Sequence, residues 1–198
     1  MRRCIFLIII ALAVPVMAAD KWNPEFIKDG VSVFTREIPG SSLKAFMAEG
    51  NIQASIETVN SILCDNPGQV NWMPDCIVSY DLRTDSKDLL LSYNETKAPI
   101  VNNRDVIVET RIRKEKNRII HEFRAIERPD LVPEKKGKVR IKDMSGRWEL
   151  TYSGGCTHVI YTVSANPGGV IPLWLANMAS KDIPYRTLMG LRKMAAGR

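Results

Sequence analysis

The stretch that decides the fold lies near the end of the chain and reads Asn166-Pro167-Gly168-Gly169-Val170-Ile171-Pro172-Leu173-Trp174-Leu175-Ala176-Asn177-Met178. Asn-Pro-Gly-Gly is a strong break in regular structure, and Pro172 suits the first turn of a helix. Residues rich in helix formers follow as far as Met194. The stretch therefore predicts one long C-terminal helix, with a bend or break near Ile183 because Pro184 removes a backbone donor.

The predicted helix has one face of mostly small side chains. At about 100° per residue, that face carries Leu173, Ala176, Ala179, Ser180, Ile183, Thr187, Leu191 and Met194. The opposite face carries Lys181, Asp182, Arg186, Arg192 and Lys193. Alanine, serine and threonine let a helix lie close to a sheet, but they fill little volume. A broad curved sheet beneath this helix would therefore leave an internal space.

The composition is that of one ordinary globular domain. The chain has 198 residues, of which 45% are hydrophobic and 25% are charged, and this balance excludes a disordered chain. The formal net charge is +6, without a clustered arginine stripe, so we expect no nucleic-acid partner.

Residues 1–19 read as a signal peptide, and residues 20–198 as the mature domain. Two arginines precede an apolar run from Ile5 to Val16, and small residues follow before Asp20. A retained membrane anchor is the alternative, although the run is shorter than the roughly 20 residues that span a bilayer. Cleavage removes two arginines and no acid, so the net charge falls to +4. We expect a periplasmic or secreted protein.

The mature chain would keep Cys64, Cys76 and Cys156, an odd number in a compartment that permits disulfides. At least one thiol should therefore be free. A bridge between Cys64 and Cys76 is open at this point.

The remaining pattern predicts an α+β domain with an antiparallel sheet. Trp22 to Ile27 reads as a short helix or turn, and a hairpin of residues 31–35 and 43–53 follows. Ser55 is placed to cap a helix that ends at Cys64, and Pro74 ends one further helical turn. From Cys76 to Ala165 apolar and polar residues alternate in successive strands. Residues 128–137 form the longest predicted loop.

The order of these elements comes with a set of short motifs. They are Leu63-Cys64-Asp65, Trp72-Met73-Pro74-Asp75-Cys76, Asn103-Arg104-Asp105-Val106, Gly146-Arg147-Trp148, Asn166-Pro167-Gly168-Gly169 and Ile171-Pro172-Leu173-Trp174-Leu175-Ala176-Asn177. Together they resemble a bacterial START-type domain, the steroidogenic-acute-regulatory-protein-related lipid-transfer domain of the helix-grip superfamily. The resemblance runs from about Trp22 to Arg192.

The resemblance implies a curved antiparallel sheet that grips the C-terminal helix, with a tunnel between them for a hydrophobic ligand. Family members bind sterols, phospholipids, ceramides or other apolar molecules and often carry them between membranes. Related helix-grip proteins include polyketide aromatases and cyclases, so the fold alone does not exclude an enzyme.

We expect the ligand to contact side chains from the helix and from the strands beneath it. The predicted ligand-binding residues are Trp72, Met73, Tyr93, Arg104, Val106, Val108, His121, Phe123, Ala176, Asn177, Ser180 and Ile183. Arg104 and His121 are the leading candidates for orienting a ligand, and a rim ion pair is the alternative role for Arg104.

Trp174 and Met178 fall one turn apart on the otherwise polar face of the helix. An exposed aromatic ring and a thioether beside cations suit contact with a membrane or a gating loop. Alternatively, the loop of residues 128–137 or the turn at Trp72-Met73 covers them.

The sequence lacks a Gly-x-Ser-x-Gly elbow, a Walker-type loop and a His-Glu-x-x-His helix. Its only histidines, His121 and His158, fit no recognised zinc spacing. We therefore expect no catalytic residue, metal or cofactor, and a monomer that binds a hydrophobic small molecule or lipid and touches membranes transiently. One alternative is a cyclase or hydrolase that uses His121 with a carboxylate as acid and base. Another is an interaction module whose cavity is filled by its own side chains.

Overall fold

The computed structural model describes residues 21–83 and 89–197. The elements are β1 (Asn23–Lys28), β2 (Val31–Glu37), β3 (Lys44–Ile52), α1 (Ile56–Cys64), a 3-10 helix (Pro67–Asn71), β4 (Cys76–Leu82), β5 (Leu89–Thr96), β6 (Asn103–Glu115), β7 (Arg118–Ala125), β8 (Lys138–Arg140), β9 (Asp143–Ser153), β10 (Cys156–Asn166) and α2 (Leu173–Ala196). The predicted signal peptide lies outside the described residues. No helix in the described part is long and apolar enough to cross a membrane.

The strands form one sheet of ten in the order β1-β2-β3-β10-β9-β7-β6-β5-β4, and β8 pairs with β6. All neighbours along the main path are antiparallel, and only β8 runs parallel to its partner. The α+β class and the antiparallel sheet with a C-terminal helix are therefore confirmed. Alternation predicted the hairpin of β2 and β3 and the succession of strands after Cys76, because most of these strands have one face turned toward the protein interior.

The first element differs from its prediction. Trp22 to Ile27 was expected to be a short helix or turn, but Asn23–Lys28 is an edge strand paired with β2. Pro24 lacks a backbone donor, which an edge strand tolerates, and the pairing register shifts between Pro24 and Phe26. The free edge of β2, which local sequence does not reveal, decides the conformation.

The cap of α1 is confirmed. The Ser55 hydroxyl accepts a hydrogen bond from the Thr58 backbone N–H at 3.1 Å, an interaction worth about 1 kcal/mol. Ile56, Val59 and Ile62 turn inward, as their spacing predicted. The single helical turn expected next is the 3-10 helix.

The C-terminal helix runs without a break from Leu173 to Ala196 and passes through Pro184. The expected break is therefore wrong, and the expected bend stays a prediction. The second half of α2 inserts Leu188 and Leu191, both fully buried, into the main hydrophobic core. It packs there against β2, β3 and α1.

Cys64, Cys76 and Cys156 are free thiols, so the Cys64–Cys76 bridge is not formed. The Cys76 thiol lies 3.6 Å from the Val78 carbonyl oxygen, to which it donates. Burial raises the pKa of the Cys64 and Cys76 thiols, which keeps both protonated near neutral pH.

Gly190 allows α2 to approach the turn that follows the 3-10 helix. A Cβ atom built on Gly190 would lie 2.1 Å from the Trp72 carbonyl oxygen, far inside van der Waals contact. Glycine in a helix normally costs about 1 kcal/mol relative to alanine. Here the close approach should reverse that sign.

We predict that Gly190→Ala destabilises the protein by about 1–3 kcal/mol, because the added methyl group would push α2 away from the backbone of Trp72. Urea unfolding at neutral pH measures this change. Gly197→Ala at the end of the same helix is the control, since its Cβ would meet only ordinary contacts at 3.8 Å and beyond. A stabilising Gly190→Ala would show that helix propensity dominates at this position.

Candidate functional site

A cavity of about 680 Å³ lies between the inner face of the sheet and the first half of α2. Its volume falls within the roughly 300–1,000 Å³ of typical small-molecule sites. The main core lies beside it, around the second half of α2. The interior is therefore solid at one end of α2 and hollow at the other.

Alternate residues of the central strands form the floor of the cavity. They are Phe46 from β3, Ser92 and Asn94 from β5, Arg104, Val106, Val108 and Thr110 from β6, His121 and Phe123 from β7, Met144 and Trp148 from β9, and Tyr161, Val163 and Ala165 from β10. Because side chains alternate between the two faces of a strand, the residues between them point to the outer face.

The roof of the cavity is the small-sided face of α2. It contributes Leu175, Ala176, Ala179, Ser180 and Ile183. Three of these five side chains are alanine or serine, too short to reach the floor. The space exists because this half of the helix fills little volume.

Aromatic rings form a continuous part of the floor. Trp148 stacks on Tyr161 with ring centres 3.9 Å apart, and Trp72 meets Trp148 edge-on at 6.3 Å. Phe123 lies 6.2 Å from Tyr161. Such packed rings have few accessible rotamers, so this wall is stiff and apolar.

The exposed wall residues mark the mouth of the cavity. They are Asp75, Lys97, Pro99, Met178, Asp182 and Arg186. Arg186 on α2 lies 3.0 Å from Asp75 and 3.2 Å from Asp182. These exposed pairs are worth about 0–1 kcal/mol each, so they hold the mouth only weakly.

One polar patch on the wall was missed from the sequence. The Asn94 side-chain amide donates to Gln69 and to Ser79, and Gln69 donates to Asn66 at 3.0 Å. Asn66 donates in turn to Asp81 at 2.6 Å. Ser92 and Asn94 sit at alternate positions of β5, and that spacing was the signal that could have identified them.

The ten wall residues that were predicted from sequence are Trp72, Met73, Arg104, Val106, Val108, His121, Phe123, Ala176, Ser180 and Ile183. Their role in ligand binding stays a prediction. The side chain of Asn177 lies outside the described part of the chain.

Tyr93, which was expected to contact the ligand, lies on the face of the sheet opposite the cavity. Its hydroxyl donates to Asp105 at 3.0 Å, and its ring packs with Ile107 and Val132 in a second cluster. Val132 belongs to the long loop of residues 128–137, which covers the outer face. A buried aromatic at this position therefore reflects the loop above it and not the cavity.

Trp174 and Met178 are 61% and 53% exposed. Neither the long loop nor the Trp72-Met73 turn covers them, so that alternative is wrong. Met178 borders the mouth, whereas Trp174, one turn earlier, does not line the cavity.

Arg104 is buried on the cavity wall, with 5% of its surface exposed. Its guanidinium donates to the backbone carbonyls of Asn102, Pro167 and Gly168. Within the described ranges it forms no ion pair, so the alternative role for Arg104, a rim ion pair, is not observed. Burial lowers the pKa of Arg104, yet an arginine keeps its charge near neutral pH.

His121 is fully buried on the floor, and its Nε2 lies 2.8 Å from the Asn60 side-chain oxygen. Burial, with a smaller contribution from Lys114, lowers the pKa of His121 to about 4. The imidazole is therefore neutral at pH 7. Among the residues described, no carboxylate lies within 4 Å of it, so the pair of His121 with a carboxylate that the cyclase or hydrolase alternative invokes is not formed there. Nor do the described His, Cys, Asp and Glu side chains form a group of three that could hold a metal.

Comparison with known proteins identifies a family and several structures that this chain resembles. A family model described as START domain matches residues 18–195. An uncharacterized protein of Pseudomonas aeruginosa is 33% identical over 183 residues, which are 91% of this chain and 89% of that protein. The crystal structure of the STAR-related lipid transfer protein from Xanthomonas axonopodis has a TM-score of 0.81 at 33% identity, over 88% of this chain and 98% of that one. Human STARD10 shares the fold alone, with a TM-score of 0.80 at 19% identity, over 91% of this chain and 75% of that one.

The buried neutral His121 should make stability depend on pH. Because its pKa of about 4 in the folded protein is below the 6.5 of an exposed histidine, the unfolded chain binds the additional proton between these values. Its contribution is complete above pH 6.5 and is lost as the pH falls toward 4. We predict that this residue alone removes about 2 kcal/mol of stability between pH 7 and pH 4.5.

Urea unfolding of the wild type and of His121→Gln at both pH values isolates this contribution, because glutamine does not titrate. The difference between the two proteins should change by about 2 kcal/mol with pH. His158→Gln, at the other histidine, is the control for a general effect of removing an imidazole. A pH dependence identical in wild type and His121→Gln would contradict the prediction.

Proposed function

Since the chain belongs to the START domain family, we propose that it binds a hydrophobic ligand, a lipid, fatty acid or sterol-like molecule, in the cavity between the sheet and α2. The observation that carries this proposal is the 680 Å³ apolar hollow beneath Ala176, Ala179 and Ser180. The name of the Xanthomonas relative, a lipid transfer protein, supports the same ligand class.

Binding of this kind needs no catalytic group, because removing apolar surface from water supplies the free energy. Burial of ten methylenes contributes about 8 kcal/mol before the cost of association is subtracted. The aromatic wall of Trp72, Trp148 and Tyr161 is already ordered, so little further entropy is lost when a ligand enters. Micromolar affinity is therefore within reach of the apolar walls alone.

A binding protein is favoured over a cyclase or hydrolase. The enzymatic alternative depends on His121 as acid and base. His121 is neutral, bonded to Asn60, and has no carboxylate neighbour among the described residues. The interaction-module alternative required a cavity filled by side chains, and the hollow argues against it.

We further propose that the mouth touches a membrane surface transiently. Ile100 and Val170 are 81% and 92% exposed. Ile100 lies between the mouth residue Pro99 and the wall residue Val101, and Val170 precedes the wall residue Ile171. With Trp174 and Met178 they give two neighbouring segments that present apolar tips beside the mouth.

Backbone strain at Ile100 supports a role for its exposed side chain. Its φ is +58°, a left-handed conformation that β-branched residues rarely adopt. Such strain costs on the order of 1–3 kcal/mol. An isoleucine kept there, pointing to water, suits insertion into an apolar phase.

The proposed site of action is the periplasm or the cell exterior. The support is the N-terminal pattern of two arginines, an apolar run and small residues before Asp20. Transfer of an insoluble molecule between membranes across an aqueous compartment fits a carrier that shields the molecule in an apolar cavity.

The ligand site is tested with a neutral hydrophobic fluorophore, N-phenyl-1-naphthylamine, and by native mass spectrometry of protein purified from the periplasm. We predict a Kd of about 1 μM or lower for the wild type and a retained lipid in the mass spectrum. Ala179→Phe should weaken fluorophore binding at least tenfold, because the phenyl ring would extend from α2 into the cavity and occupy the space of the ligand. Ala196→Phe on the exposed end of α2 is the matched control and should bind as the wild type does. Unimpaired binding by Ala179→Phe would place the fluorophore elsewhere.

The membrane contact is tested by sedimentation with anionic phospholipid vesicles. The double variant Ile100→Ser, Trp174→Ser should reduce vesicle binding by about tenfold or more, since each apolar side chain contributes on the order of 1.5–3 kcal/mol when buried. Its affinity for the fluorophore should stay unchanged. Ile27→Ser, equally exposed on the edge strand β1, is the control. Equal losses in both variants would contradict a specific contact at the mouth.

A further inference from the structure

Arg104 and Arg140 are both buried arginines, but only one has a counter-charge. Arg140 donates from Nε and Nη2 to the two carboxylate oxygens of Asp105, each at 3.0 Å, and this contact raises the pKa of Arg140. Arg104 has only neutral carbonyl partners among the residues described. Burying an unpaired charge is costly, so the position of Arg104 needs an explanation.

Asp105, the next residue, cannot neutralise Arg104. Successive side chains of β6 point to opposite faces of the sheet, so Arg104 lies on the cavity wall while Asp105 faces the outer cluster with Tyr93. The carboxylate is already shared between Arg140 and the Tyr93 hydroxyl. The charge of Arg104 therefore belongs to the cavity.

The other charged residues on the cavity wall do not balance the positive charge of Arg104. Asp75 and Asp182 are both bound to Arg186 at the mouth. Lys44 pairs with Glu37 at 3.0 Å, and Lys97 is exposed to water. In the described part of the wall, Arg104 is thus the cation that is both buried and without a carboxylate.

The residues Asn102, Pro167 and Gly168 form a carbonyl collar that fixes the guanidinium. Gly168 and Gly169 both have left-handed backbones, with φ of +65° and +63°, which non-glycine residues rarely adopt. The collar takes one donor from each guanidinium nitrogen. Since arginine has five N–H donors, one N–H remains on each terminal nitrogen.

We propose that Arg104 binds the anionic oxygen head group of the ligand, so that this cavity takes an amphiphilic anion such as a fatty acid in preference to a neutral lipid. This inference rests on the proposed function of the cavity as a lipid site. A guanidinium held in place by neutral carbonyls retains its charge and its fork of donors for a carboxylate or phosphate. The apolar tail would lie along Val106, Val108 and the aromatic wall.

The size of the cavity favours a single-chain ligand. A volume of 680 Å³ corresponds to about two dozen groups of the size of a water molecule. A fatty acid of sixteen or eighteen carbons has about twenty heavy atoms, whereas a two-chain phospholipid has more than twice as many. The matched pair of probes is therefore hexadecanoate and hexadecanol, which differ in the head group only.

Displacement of N-phenyl-1-naphthylamine at pH 7.5 measures both affinities. We expect the wild type to bind hexadecanoate about 10- to 100-fold more tightly than hexadecanol, the range of a charge-assisted hydrogen bond. Arg104→Gln should reduce this preference to less than about threefold while keeping the affinity for hexadecanol. Lys97→Gln removes the same charge from an exposed wall position and should keep the preference.

Two results would overturn the proposal: equal affinity of the wild type for acid and alcohol, or a preference that survives in Arg104→Gln. If the wild type bound neither hexadecanoate nor hexadecanol, the proposed function itself would be refuted. Comparison of hexadecyl phosphate with hexadecanoate shows whether the site prefers a phosphate or a carboxylate head group. Inorganic phosphate and acetate should not displace the fluorophore at equal concentrations, since a free anion lacks the apolar tail.

A measurement on the wild type alone covers the case in which Arg104→Gln does not fold. With hexadecanoate labelled with ¹³C at the carboxyl carbon, the bound resonance should keep its ionised position from pH 8 to pH 5, because a neighbouring arginine lowers the pKa of a carboxyl group. In an apolar cavity without such a partner the pKa would rise. A shift toward the protonated position by pH 5 would refute the contact with Arg104.

Discussion

The two halves of α2 fill unequal volumes against the same sheet, and this difference is the constraint on which the rest of the structure depends. Toward the C-terminus, Leu188 and Leu191 are fully buried and anchor the helix in the main core. Toward the N-terminus, Ala176, Ala179 and Ser180 fill too little space to reach the sheet. One continuous helix therefore stabilises the domain with one half and roofs a cavity with the other. The side chains that stabilise the fold and the small side chains that leave room for a ligand therefore lie in different halves of α2.

This separation has a consequence for access to the cavity. The anchored half holds its position through fully buried side chains and through the close approach at Gly190. The roofing half is held at the mouth by the exposed Arg186 pairs with Asp75 and Asp182, which contribute little free energy. Local opening should therefore begin at the roof, where few apolar contacts resist it, while the core stays intact.

Most of the fold could be predicted because local and tertiary signals agree. Alternation identified the strands, Ser55 identified the start of α1, and the Asn166-Pro167-Gly168-Gly169 break identified α2. The failures occurred where distant contacts decide. Trp22 to Ile27 was expected to be a short helix or turn, yet pairing with the edge of β2 makes residues 23–28 a strand. Tyr93 was expected to contact the ligand, but it lies on the outer face of the sheet, which the loop containing Val132 buries as well. Burial of a strand residue therefore does not show which face of the sheet it lies on.

The candidate site shows the same limit in its charges. The sequence places Arg104 and Asp105 side by side, and adjacent opposite charges suggest an ion pair. The pleat of β6 sends them to opposite faces, where they meet different surroundings. On the outer face Asp105 finds Arg140 and Tyr93, so its charge is balanced within the protein. On the inner face the partners of Arg104 among the described residues are the backbone carbonyls of Asn102, Pro167 and Gly168. Among the described residues, one buried charge of β6 is thus balanced within the protein and its neighbour beside the cavity is not, and this asymmetry is the reason for proposing that the ligand supplies the missing anion.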